Sequence, residues 1–309
     1  MWVPRLLKET TKAVARLQPT WHLDTAAYEV LKPWVHGENL RALDVVRFAP
    51  PAAMAAGAEP QYLDVGCGPG SFTKETLLPR MEPACRRIVA VDRCDKAIHY
   101  ARENFSHRRI VHDILDIESH DATSILERYG AFDRVFSFLT FHYVADIAMA
   151  YGNIFKLLKR GGECLVLSIV RADAIDVWNE AYRMEEWNPL MINPTELFPG
   201  MVHGSAVMRS TVQLEADTRN SVYAAGLECL AYQRYNSWWM FRRLEDYLDA
   251  FMSAFQAYDG VPPEQQSTLR DLWIDLLQKR THSVLGKECS VRYTFSIVHA
   301  RKPQMCGET

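Results

Sequence analysis

The eight residues Leu63-Asp64-Val65-Gly66-Cys67-Gly68-Pro69-Gly70 constrain this chain more than any other segment. They follow a short strand-like run and open residues 71–78, which read as a helix. Glycines there let the backbone turn tightly and approach a ligand closely. The helix N-terminus beyond them offers free N–H groups to an anion. A dinucleotide site would need G-x-G-x-x-G, but here the last position of that fingerprint is Ser71 and the third glycine comes one residue early. Asp64, two residues before the first glycine, would also repel a pyrophosphate. A ligand with a cationic end and a carboxylate fits both features. S-adenosyl-L-methionine is such a ligand, with its carboxylate on the helix N-terminus and its ammonium and sulfonium facing Asp64.

The pattern around this turn is α/β. Ile88–Val91, Arg109–His112, Asp133–Phe138 and Cys164–Leu167 read as strands. Lys96–Phe105 and residues 146–159 read as helices, the latter with Ile147, Tyr151, Ile154, Phe155 and Leu158 on one face. Strands alternating with helices predict a doubly wound, mostly parallel sheet. The expected organisation is a helical lead and connector over 1–58, a cofactor-binding core over 59–170 and a lid insertion over 171–224. Strands and a helical insertion over 225–303 complete the same domain, and 304–309 form a tail. Within it, residues 188–220 read as irregular, Gly226–Tyr232 as a strand and the segment 236–285 as lid helices.

With 309 residues and 48% hydrophobic content the chain can bury a large core. Its net charge of −3 is mixed along the sequence, which disfavours a nucleic-acid partner. No Asn/Asp-Pro-Pro-aromatic loop for a flipped base is present. The seven cysteines, Cys67, Cys85, Cys94, Cys164, Cys229, Cys289 and Cys306, lack paired spacing and predict reduced thiols and no metal cluster. The N-terminal stretch has no apolar core of a leader, and no run is long enough to span a bilayer, so a cytoplasmic protein is expected.

Further cofactor contacts follow from position. Asp92, in Val91-Asp92-Arg93 at the end of the second strand, can accept both ribose hydroxyls. Its alternative role is that of an acid at a helix N-terminus. Asp116 and Ile117, after the third strand, suit an adenine amine and an adenine face. Ser137 and Phe138 close the fourth strand near the same place, where Phe138 is equally suited to the core. Together with Asp64, Gly66, Cys67, Gly68, Gly70 and Arg93, these make the expected cofactor set.

The cofactor motif, VDRCDKAIHYARENF, the Asp-Ile pair, FDRVFSFLTFHYV and NIFKLLKRGGECLVL together resemble juvenile hormone acid O-methyltransferases, most strongly over residues 61–170 and traceably through 171–303. The resemblance implies a seven-stranded sheet, one S-adenosylmethionine, and methylation of a terpenoid acid such as farnesoic or juvenile hormone acid. It also implies carboxylate contacts from a Gln near the N-terminus and a His-Trp pair after the fourth strand. Gln18 and His142 match by position, and Tyr143 stands in place of the Trp.

An acid with a pKa of ~4–5 is already ionised at neutral pH, so its methylation needs alignment and exclusion of water rather than a general base. Neutral donors suit such an acceptor, and Gln18, His142 and Tyr143 are of that kind. Each also has a plain structural alternative, as a surface or core side chain. Trp178, Trp187 and Trp239, with Trp238 and Met240, suggest an apolar acceptor pocket, although single tryptophans more often fill cores. Other readings are methylation of a different carboxylate, a phenol or an amine, or a non-catalytic protein that binds S-adenosylmethionine and an apolar ligand. Nothing in the sequence indicates an oligomeric state.

Overall fold

Tyr62, Leu63, Val65 and the run Ile88–Val91 are withdrawn from solvent on both sides of their strands, the signature of a parallel sheet covered by helices on each face. The computed structural model describes residues 25–55, 57–203, 207–284 and 288–304. A long helix α1 (Thr25–Val45) and a one-turn α2 (Ala52–Ala55) precede β1 (Gln61–Val65). A π-helical turn, Thr73–Leu77, runs into a 3-10 turn, Leu78–Arg80, where the sequence reads as one helix. There follow β2 (Arg87–Asp92), α3 (Asp95–Asn104), β3 (Ile110–Ile114), α4 (Ser124–Tyr129) and β4 (Phe132–Phe138). After α5 (Ile147–Leu157) comes β5 (Leu158–Ala172), whose opening residues include Gly161 and Gly162.

The second half holds α6 (Asp173–Tyr182), α7 (Pro194–Leu197), the paired β6 (Val202–His203) and β7 (Val207–Met208), and α8 (Thr211–Ala224). Next are β8 (Glu228–Phe241), α9 (Leu244–Ala254), α10 (Pro263–Gln278), β9 (His282–Val284) and β10 (Glu288–Arg301). Two expectations are corrected here. Thr211–Ala224 is a helix, capped by the Ser210 side chain accepting from the Gln213 N–H, rather than irregular. Trp238, Trp239 and Met240 lie on β8, which pairs along its length with β10, and not on a lid helix.

The main sheet runs β3-β2-β1-β4-β5-β10-β8, with the short β9 added against β10. The pairs among β1 to β5 are parallel, while β10 runs antiparallel to both β5 and β8. This is the seven-stranded, doubly wound order expected from the sequence, with one short extra strand. Order reverses between β1 and β4, and ligands of such sheets sit at that switch point, beyond the strands' carboxyl ends.

Alternate strand residues feed two apolar layers. Leu63, Val65, Val89, Val91 and Val135 meet α4, α5 and α8 on one face. Tyr62, Ile88, Ala90, Phe136 and Phe138 face the other layer, to which α1, α6, α9 and α10 contribute. In that layer Trp178 is fully buried, edge-on to Trp273 at 5.4 Å and to Phe251 at 6.2 Å, and its indole N–H donates to the Ile192 carbonyl at 3.0 Å. Removing the ring would leave a large void and an unpaired carbonyl. Trp178→Ala should therefore lower unfolding free energy by about 3–5 kcal/mol in urea titration; a loss under 1 kcal/mol would mean the indole is not part of this core.

Candidate cofactor and acceptor site

Gly66 leaves β1 with φ +75°, and both its N–H and that of Cys67 donate to the Val91 carbonyl, at 2.7 and 3.0 Å. A Cβ at Gly66 would stand 1.9 Å from Thr140 Oγ1, so position 66 tolerates no side chain. Gly68, at φ +53°, faces open space, which is the cleft itself. Beneath the turn Asp64 is buried and accepts from the Thr73 hydroxyl at 2.6 Å. Burial, partly opposed by the Thr73 hydrogen bond and reinforced by the nearby Asp92, pushes its carboxyl up to about 7. Asp92 holds the turn from the neighbouring strand: one oxygen accepts from the Gly68 N–H and the other from the Cys94 N–H, each at 2.9 Å.

One cleft collects these groups. Its charged wall comes from strand exits: Asp64, Asp92, Arg93, Asp116 and Glu118. Ile117 is buried there, its carbonyl accepting from Asn153 Nδ2 at 2.8 Å, while exposed Asp116 caps its own turn by accepting from the Glu118 N–H at 3.0 Å. The remaining wall is apolar and aromatic, with Val35, Ile175, Phe198, Trp239, Phe251 and Tyr293 among its residues. His142 and Tyr143 enter from a 3-10 turn after β4, their rings 4.0 Å apart. Burial lowers the His142 imidazole to about 3, and its Nδ1 has no hydrogen-bond partner.

The strand exits present carboxylates, Asp64 buried and Asp92 half-buried, and a glycine turn open to the cleft, an arrangement suited to a cationic amino acid joined to a nucleoside. Residues 57–216, just over half of the chain, match the family described as a methyltransferase domain. The chain belongs to that family. S-adenosyl-L-methionine is the cofactor of this methyltransferase. It is similar to the juvenile hormone acid O-methyltransferase of Bombyx mori, 24% identical over 80% of this chain and 86% of that protein. The protein of the same name from Drosophila melanogaster is 26% identical over 57% of this chain, which spans 62% of it. Among solved structures, a candidate methyltransferase from Bacillus halodurans superposes with a TM-score of 0.53 at 17% identity, covering 86% of this chain and 98% of that one. That likeness concerns the fold.

The methyltransferase brings together most of the residues anticipated from sequence. Asp64, Gly66, Cys67, Gly68, Asp92, Arg93, Asp116, Ile117, His142, Tyr143 and Trp239 all line the cleft. Four anticipated residues sit elsewhere. Gly70 packs toward α3 and β3, where a Cβ would stand 2.9 Å from Ala101 Cβ and 3.1 Å from His112 Nε2. Ser137 is buried and donates to the Val65 carbonyl at 3.0 Å, tying β4 to β1 beneath the turn. Trp178 and Trp187 are core residues of the helical layer rather than pocket walls: α6 turns its apolar stripe, with Trp178, inward, and the turns that follow α6 bury Trp187 in the same core. Gln18 lies outside the described residues.

Sequence reading missed Asn39 on α1, and Leu139. Leu139 lines the cleft at φ +53°, a strained conformation for a branched residue that no local sequence signal announces. No group of residues suited to a metal occurs among the described residues, and no helix among them is long and apolar enough to cross a membrane.

The raised Asp64 carboxyl has a measurable consequence. An ammonium placed beside it binds the ionised form, so binding must expel the proton that Asp64 carries below about 7. Affinity for S-adenosylhomocysteine should be flat above that pH and fall toward about tenfold per unit below it, with proton uptake by buffer visible in calorimetry. Asp64→Asn should weaken binding and abolish the slope; an unchanged slope would place the titrating group elsewhere.

Proposed function

We propose that this methyltransferase transfers the cofactor's methyl group to the carboxylate of an apolar acid of terpenoid or fatty type, such as farnesoic or juvenile hormone acid. The observation that carries the reading is the division of the cleft wall. Its charged residues all come from the strand exits around the glycine turn, and the rest of the wall offers a long apolar tail mostly aliphatic and aromatic surface. The polar side chains set among that surface, Asn39, Thr140, His142, Tyr143 and Tyr293, carry no charge when His142 is held neutral. Neutral groups can orient a carboxylate without quenching its nucleophilicity, as a tight ion pair would.

The state of His142 bears on the choice of acceptor. An imidazole lowered to about 3 is a weak base, poorly matched to a phenol or an ammonium that must lose a proton before attack. A carboxylate needs no such help. In this proposal Asp64 faces the ammonium, Asp92 the ribose hydroxyls, and Asp116 and Ile117 the adenine. His142 and Tyr143 orient the acid against the sulfonium methyl, and the apolar wall excludes water. The named juvenile hormone acid enzymes point the same way.

Two measurements test it. Protein incubated with methyl-labelled S-adenosylmethionine and a panel of acids, phenols and amines should give labelled esters of long apolar acids. Methylation of phenols or amines instead, or saturable cofactor binding with no product from any acid, would sink the proposal. Tyr143→Phe should lower kcat by roughly five- to tenfold while S-adenosylhomocysteine affinity stays within about twofold, as expected for the loss of one hydrogen bond to the acceptor. A fall in cofactor affinity would move Tyr143 out of the acceptor site.

A further inference from the structure

Helix α1 turns Leu31, Val35 and Asn39, spaced four apart, toward the cleft. The same stripe continues into the core with Ala42 and Val46. Asn39 interrupts this apolar line with an amide that is only 3% exposed and whose Oδ1 makes no hydrogen bond. An acceptor buried without a donor is costly and uncommon. The surrounding helix is firmly seated, so the amide is not a loose surface group that strayed inward. Glu38 accepts from Tyr235, Ser237 and Trp239 of β8, which sets the rotation of α1 about its axis.

On the N-terminal side of Asn39, α1 meets the segment after the glycine turn. Lys32 pairs with Glu75 at 3.1 Å, and the His36 ring stands edge-on to Phe72 at 5.1 Å. Phe72 lines the cleft and adjoins Thr73, the residue whose hydroxyl donates to Asp64. Lys32 and His36, next to the cleft-lining Leu31 and Val35, thus tie α1 to the segment that follows the glycine turn.

We propose that Asn39 is a cofactor-binding residue whose side-chain oxygen accepts a hydrogen bond from the α-ammonium of S-adenosylmethionine, sharing that group with Asp64. The missing partner of Oδ1 is a donor, which an ionised acid acceptor cannot supply. The ammonium carries three N–H donors and Asp64 alone does not saturate them. An amide oxygen adds an acceptor without a further negative charge beside Asp64 and Asp92. The inference rests on the cofactor and on Asp64 facing its ammonium, and is independent of which acid is methylated.

The test is calorimetric binding of two probes to the full chain. S-adenosylhomocysteine keeps the amino-acid end, whereas 5′-methylthioadenosine keeps the nucleoside and sulfur but lacks that end. Asn39→Leu continues the apolar stripe and should raise the melting temperature while weakening S-adenosylhomocysteine binding about tenfold, with 5′-methylthioadenosine changed by less than about twofold. Asn39→Asp, which keeps an oxygen acceptor at the same place, should bind S-adenosylhomocysteine within about threefold of the unaltered chain; if the Leu variant fails to fold, Asn39→Ala takes its place, with the same selective loss of S-adenosylhomocysteine over 5′-methylthioadenosine expected. Equal loss for both probes would show only a disturbed pocket and overturn the proposal. Unchanged binding of both, or a raised KM for the acid with intact S-adenosylhomocysteine binding, would overturn it as well. A failure of Asp64→Asn to weaken S-adenosylhomocysteine, alongside a selective loss in Asn39→Leu, would remove the shared ammonium contact and overturn it too.

Discussion

Where β1 meets β4, the chain must turn away from the sheet with no room for a side chain. A methyl group on Gly66 would collide with Thr140, whose hydroxyl lies within 3.4 Å of the carbonyls of Val65, Gly66 and Phe138. The same junction carries the Ser137 hydrogen bond to Val65 and the two N–H bonds to the Val91 carbonyl. Three strands are therefore locked together at their carboxyl ends by one left-handed glycine and a few short polar contacts. The cleft exists because the backbone is pulled tight here, leaving Gly68 facing open space and Asp64 and Asp92 at its edge.

Burial then sets the electrostatics. It raises Asp64 toward neutrality and lowers His142 well below its ordinary range, so both groups lose charge in a low-dielectric setting. The consequences differ with the partner on offer. A carboxyl held near 7 can regain its charge when a cation stands beside it. An imidazole held near 3 stays neutral at physiological pH.

Much of this was legible in the sequence. Local rules suffice for the β1 turn, for Asp92 at the end of β2 and for Asp116-Ile117 after β3, because a parallel strand's exit always points to the same edge of the sheet. The same rules misjudge residues whose surroundings are long-range. Trp178 and Trp187 are apolar and follow the last parallel strand, as pocket residues would, but α6 is rolled so that Trp178 enters the core, and the turns after α6 carry Trp187 into the same core. Trp238 to Met240 belong to a strand because β10, some fifty residues later, supplies the ladder. Asn39 gave no signal: an amide in a helix reads as solvent-facing until β8 fixes the rotation of α1 through Glu38.

By itself the sequence determined the fold class, the sheet's alternating elements and which polar side chains stand at the strand exits around the glycine turn, since each depends on residues within a strand, a turn and the helix after it. Only the tertiary structure decided which aromatic side chains face the cleft and which fill the core, and which polar atoms are left buried without partners. Those outcomes depend on helix rotation and strand pairing between segments far apart in the chain, and no local periodicity carries that information.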